Sequence, residues 1–142
     1  MMCGWLKRQP GFRSRVRTLV FFLAVDLSKR LRERLGWRYP DMSPPVVESL
    51  GNAIADELIM LPSSGKTASW KQLHGDLLGS ELEKALEDQE IASKAALALR
   101  LWGVSLPAPE CKRYLSRADQ IDPNGHVPNS KEIVRILKEY KL

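Results

Sequence analysis

Residues 13–35, RSRVRTLVFFLAVDLSKRLRERL, decide how this chain is read. Val16, Leu19, Val20, Leu23, Leu27, Leu31 and Leu35, with Phe12 just ahead, recur at intervals of three and four, the spacing that places side chains on one face of an α-helix. Gly36 follows the last of them and predicts a left-handed C-terminal cap. Phe21, Phe22 and Val25 point away from that stripe, so the middle of the helix is apolar on nearly every side. Such a helix is expected to be buried or to lie against a partner. Its two ends, by contrast, are rich in arginine.

Working outward, the same periodicity predicts further helices and no strand. A second helix is expected from Ser43, with Pro44 and Pro45 tolerated in its first turn and Val47, Leu50, Ile54, Leu58 and Leu61 on one face. Residues 62–69 read as a loop. Ser69 with Gln72 forms a capping box for a short helix over residues 70–78, which Gly79 should break. Ser80 with Glu83 forms another, for a helix reaching Trp102 and stopping at Gly103. Pro109 is expected to open a short helix to Arg117. Asp122, Pro123, Asn124 and Gly125 have the residue order of a tight turn, and Asn129 with Glu132 caps a last helix carrying Ile133, Ile136, Leu137 and Tyr140.

The bulk properties agree with a folded helical protein. A chain of 142 residues fits one domain, and 44% hydrophobic residues suffice for a core without staples. We expect an all-α fold, a compact orthogonal bundle of four to six helices with negligible sheet in a single domain over residues 1–142, with residues 1–12 a flexible basic N-terminus. The run from Leu19 to Val25 is far shorter than the roughly 20 residues a membrane span needs, and no small-residue cleavage pattern follows it. Cys3 and Cys111, the only cysteines, are too few for a disulfide framework and lack zinc-ligand spacing. The expectation is therefore a reducing compartment and a cytoplasmic location.

Charge is segregated along the chain. Residues 1–38 hold ten Lys or Arg against two acidic side chains, residues 39–110 hold five against eleven, and residues 111–142 hold seven against four. Such segregation favours a polyanionic or acidic partner at the N-terminal end, or contact between the chain's own segments. Arg13, Arg15 and Arg17 precede the apolar centre of the first helix. Lys29, Arg30, Arg32 and Arg34 follow it, and Trp37, Arg38 and Tyr39 come next. Guanidinium groups match phosphate geometry and aromatic rings can stack on unpaired bases, so these ten residues form the candidate nucleic-acid contact. The competing reading docks the same arginines on the acidic middle segment of this or another copy.

Other motifs carry less. Gly65, Lys66 and Thr67 imitate the end of a phosphate-binding loop, but Met60 stands where that loop needs glycine. Residues 71–88 have the outline of a helix-turn-helix, yet the would-be reading helix would present Glu81, Glu83, Glu87 and Asp88 to phosphates. Glu83, Glu87 and Glu90 share one face, but one helix cannot surround a metal, and Lys94 sits where it would pair with Glu90. His74 and His126 have no recognisable nucleophile and carboxylate beside them. No enzyme, metal or cofactor is expected. The functional expectation is a non-enzymatic nucleic-acid-binding or regulatory protein; the alternative is a helical adaptor, inhibitor or assembly subunit, self-associating or bound to an acidic protein surface.

Overall fold

The computed structural model describes residues 10–61 and 65–142. Among them the fold is all-α: six helices and no strand. These are α1 (Pro10–Arg38), α2 (Pro44–Leu58), α3 (Gly65–Glu87), α4 (Gln89–Gly103), α5 (Ala108–Ile121) and α6 (Ser130–Glu139). No helix of the described residues is long and apolar enough to cross a membrane. Of the N-terminal arm, residues 1–9 lie outside the described residues, while residues 10–12 already belong to α1.

The chain divides into two compact units, with the boundaries inside α1 and α4. The first comprises α1 up to Leu23, α4 from Ser93, α5 and α6. Its core joins Val16, Leu19, Val20 and Leu23 to Leu99, Leu101, Val104, Ala118, Ile133 and Leu137, all at most 1% exposed. The second runs from Ala24 to Ala92. There Leu27, Leu31 and Leu35 are buried with Leu50, Ile54, Leu58, Leu78 and Ile91, and α2 packs on α3. The leucine stripe of α1 is therefore buried throughout, as its spacing requires. The opposite face is not: Phe21, Phe22 and Val25 are 54, 43 and 49% exposed.

Helix ends differ from the sequence reading. Gly36 lies within α1 rather than capping it, and Gly79 lies within α3. Residues 65–69, expected in a loop, open α3, and Ser69 donates to the Gly65 carbonyl from inside the helix. α3 is interrupted at His74 (φ −140°, ψ 42°), not at Gly79. The helix expected to continue from Ser80 to Trp102 instead breaks at Asp88, whose Oδ1 accepts from the backbone N–H groups of Glu90 and Ile91 and so caps α4. α5 is also longer than expected. Two helices close with Schellman motifs built on non-glycine residues. Met60 (φ 55°) ends α2, with Leu61 N–H donating to Asp56 O, and Lys141 (φ 59°) ends α6, with Leu142 N–H donating to Leu137 O.

The Asn129 capping box at α6 is present in both directions. Asn129 Oδ1 accepts from Glu132 N–H at 2.9 Å, and Glu132 Oε1 accepts from Asn129 N–H at 3.2 Å. His126 contacts Glu132 Oε2 at 2.8 Å, and this bond with the backbone one holds the Glu132 carboxyl below its ordinary range. Asn129→Ala should cost about 1 kcal/mol, read as a shift of the urea midpoint. Cys111, fully buried on α5, is disulfide-bonded, and Cys3 lies outside the described residues. This corrects the expectation of reduced thiols: a lone cysteine on a helix carries no spacing pattern that would mark it as bonded.

Candidate nucleic-acid interface

The ten residues singled out by charge fall into two groups, one in each unit. Lys29, Arg30, Arg32, Arg34, Trp37, Arg38 and Tyr39 belong to the unit spanning residues 24–92, and three of their cations already have carboxylate partners there. Arg34 holds Asp88 Oδ2 through Nε at 3.1 Å and Nη2 at 2.8 Å, and its guanidinium lies over the Trp37 ring at 5.2 Å. Arg30 pairs with Glu90 and stands 3.7 Å from Asp88. Arg38 pairs with Glu81, which also accepts from Tyr39 Oη at 2.6 Å and lies 3.4 Å from Lys84 Nζ. Arg30, Arg34 and Arg38 are four residues apart, so one face of α1 presents a ladder to the acids at positions 81, 88 and 90.

The electrostatics follow from this ladder. Burial works to raise the Asp88 carboxyl, but hydrogen bonds from Arg34, Ile91 N–H and Glu90 N–H, with the Arg34 charge, outweigh it and hold the group low. A depressed carboxyl contributes stability above its unfolded range, and that contribution is lost as pH falls through the folded value. The hydrogen bond to Glu81, reinforced by burial and the Glu81 charge, pushes the Tyr39 phenol up. Glu90, expected to pair along its own helix, takes Arg30 of α1 as a partner. Lys29, Arg32 and Tyr39 line an open cleft of about 580 Å³ with Glu33, Met42, Val47 and Glu48. Arg32 packs its stem against Gly51, where a Cβ would meet Cγ at 2.8 Å. Trp37 is 71% exposed.

Arg13, Arg15 and Arg17 are arranged differently. None has a carboxylate partner among the described residues. Arg15 is exposed, its guanidinium 5.6 Å from the Phe12 ring centre. Arg13 and Arg17 are one turn apart and half-buried, and the Nε of each is buried without an acceptor. Arg17 lies over the Trp102 ring at 5.3 Å, a contact that offsets part of the missing charge pairing. Burial, then the nearby Arg13 charge, lowers the Arg17 pKa. The first turn of α1 has no acidic residue to oppose the positive end of the helix dipole. Phe21, one turn beyond Arg17, meets Trp102 edge to face at 6.0 Å, and Phe22 stacks on Tyr140 at 6.2 Å.

Among the described residues the first unit carries twelve Lys or Arg against five Asp or Glu, a balance of +7; the second carries eight against twelve, −4. Basic residues of α5 and α6, including exposed Lys112, Arg113, Lys131, Arg135 and Lys138, join the arginines of α1 in the same unit. Sequence reasoning missed these and missed Trp102, shared by Arg17 and Phe21. The four-residue spacing of Arg13, Arg17 and Phe21 was the available signal.

The remaining motifs resolve simply. Thr67 of the imitation phosphate loop is 1% exposed and donates to Asp56 at 3.1 Å from inside α3. Helix runs through Gly79, where the would-be helix-turn-helix needs its turn, and the break falls at His74 instead. His74 packs on Trp70, ring centres 5.2 Å apart. Among the described residues no group of three or more His, Cys, Asp or Glu side chains is placed to hold a metal ion. Comparison with protein-family models, curated proteins and solved structures found no match.

Proposed function

We propose that the protein is a non-enzymatic nucleic-acid-binding protein that contacts backbone phosphates through the basic unit, with Arg13, Arg15 and Arg17 of α1 as its principal contacts. The observation that carries this reading is the contrast within one helix. Arg30, Arg34 and Arg38 are neutralised by carboxylates, whereas Arg13, Arg15 and Arg17, in a unit of net +7, have none among the described residues. Two half-buried guanidinium groups one turn apart repel each other, and a phosphate between them removes that repulsion while supplying acceptors. Recognition of this kind is electrostatic and reads the backbone rather than base edges.

The test is fluorescence anisotropy with labelled oligonucleotides over a range of salt. Binding should weaken as salt rises, and Arg13→Gln with Arg17→Gln should flatten the log–log slope by about 0.7 to 0.9 per arginine. Arg34→Gln should lower stability instead and leave affinity nearly unchanged. Absence of binding at low salt would remove the proposal. A second reading, a helical adaptor or assembly subunit, rests on the acidic unit. There Leu73 (72% exposed) and Val46 (38%) border an open cleft of about 470 Å³ beside Trp70. Self-association or a co-purifying protein, without oligonucleotide binding, would favour it.

A further inference from the structure

Backbone contact leaves part of the basic unit unused. Phe21 and Phe22 are about half exposed, on a helix whose opposite face supplies the core. A ring left half in water forgoes much of the favourable transfer free energy that burial would bring. Neither ring hangs free, however. Phe21 is braced edge-on by Trp102, and Phe22 lies nearly parallel to Tyr140, at 29°. Each is thus an oriented flat surface.

The first of these surfaces, Phe21, adjoins the unpaired cations. Arg13, Arg17 and Phe21 succeed one another every four residues, a rise of about 6 Å per step along one face of α1. Arg17 and Phe21 share Trp102 as a common neighbour. A row of two guanidinium groups followed by an aromatic plane matches a chain that alternates phosphate with an exposed flat base. Duplex nucleic acid does not satisfy both halves of the row. Its phosphates can reach the arginines, but its base faces are already stacked on one another.

Building on the proposed function, we infer that the preferred ligand is single-stranded nucleic acid, with phosphates on Arg13 and Arg17 and an unpaired base stacked on Phe21. Stacking on aromatic rings tolerates any base, because every base has a π face, so discrimination is between strand states rather than sequences. The nearest competitor is an anionic membrane surface, which also joins cations to aromatic rings. A membrane-lying helix keeps its cations on the face opposite its apolar one, whereas here Arg17 and Phe21 meet on the same ring.

The experiment compares the full chain binding to labelled oligothymidylate and to a duplex of equal length, at two salt concentrations. The single strand should bind more tightly. Phe21→Ala should weaken single-strand binding about tenfold, the low end of what one stacked base contributes, and leave duplex binding unchanged. Phe21→Leu, which keeps an apolar side chain but no flat ring, should show most of that loss. Circular dichroism confirms that each variant folds. Equal affinity for both strand states, or no effect of Phe21→Ala, overturns this inference and leaves backbone binding standing. Failure to bind either oligonucleotide overturns the proposed function as well. Binding to phosphatidylserine vesicles that oligothymidylate does not displace, and that Phe21→Ala abolishes, overturns it in favour of a membrane surface.

Discussion

Arg100→Leu should destabilise the basic unit by about 3–5 kcal/mol, the range expected when one partner of a buried charge pair is removed. Arg100 is 3% exposed near the end of α4. Its Nη2 donates to the Asp122 carbonyl at 2.9 Å and to Asp119 Oδ1 at 3.0 Å, and Nη1 stands 3.7 Å from Asp122 Oδ2. Asp119 is 71% exposed and contributes little, since water competes for it. Asp122 is the important partner: its side chain is 14% exposed, and its carbonyl belongs to the residue that caps α5. Leucine would leave both acceptors facing an apolar side chain. Arg100→Lys should recover only part of the loss, because an ammonium cannot reproduce the planar fork.

Gly125 reports on the same joint. A Cβ there would collide with the Arg100 guanidinium and come within 2.7 Å of Asp122 Oδ2. Gly125→Ala should therefore be costly in the native protein and much cheaper when Arg100 is already leucine, a non-additivity measurable by urea denaturation of the four proteins in a double-mutant cycle. A loss below about 1 kcal/mol for Arg100→Leu, comparable to an exposed pair, would show that water replaces the guanidinium without difficulty.

What could be read from the sequence follows from which interactions are local. The stripe from Val16 to Leu35, the Asn129 capping box and the turn closed by Gly125 N–H to Asp122 O at 3.2 Å depend on residues a few positions apart, and all three are present. Glycine misled the boundaries. Gly36 and Gly79 are helical, while Met60 and Lys141 occupy the left-handed positions where glycine is usual. Helix ends tolerate such residues when the following apolar residue packs, so composition alone does not mark them. The break at Asp88 was invisible for a different reason. Its carboxylate takes hydrogen bonds from Arg34, far away in sequence, and from the start of α4. The charge pattern was legible by segment but not by unit, because α1 contributes its first half to one charge environment and its second half to another.

The ladder from Arg30 to Arg38 leads to the second large effect, at Glu81. Its side chain is 1% exposed and serves Arg38, Tyr39 Oη and Lys84 together. Glu81→Ala should cost about 2–4 kcal/mol, somewhat below the full value for a buried pair because Arg38 and Lys84 remain 36 and 42% exposed and can recover hydration. Two further readouts separate this joint from a simple cavity. The Tyr39 phenol, held above its ordinary value of 10.0 chiefly by its bond to Glu81, should titrate lower in the variant, seen as tyrosinate absorbance on alkaline titration. A raised folded pKa means that the stability from this bond is fully present below the unfolded value and is lost as pH rises through the folded one, so the variant's deficit should shrink in alkali. Arg38, freed of its carboxylate, should also raise rather than lower affinity for an oligonucleotide. An unchanged tyrosine titration with an undiminished stability loss would place the cost in packing alone. Lower affinity in the folded variant would mean that the ladder helps to shape the contact surface rather than merely withholding cations from it.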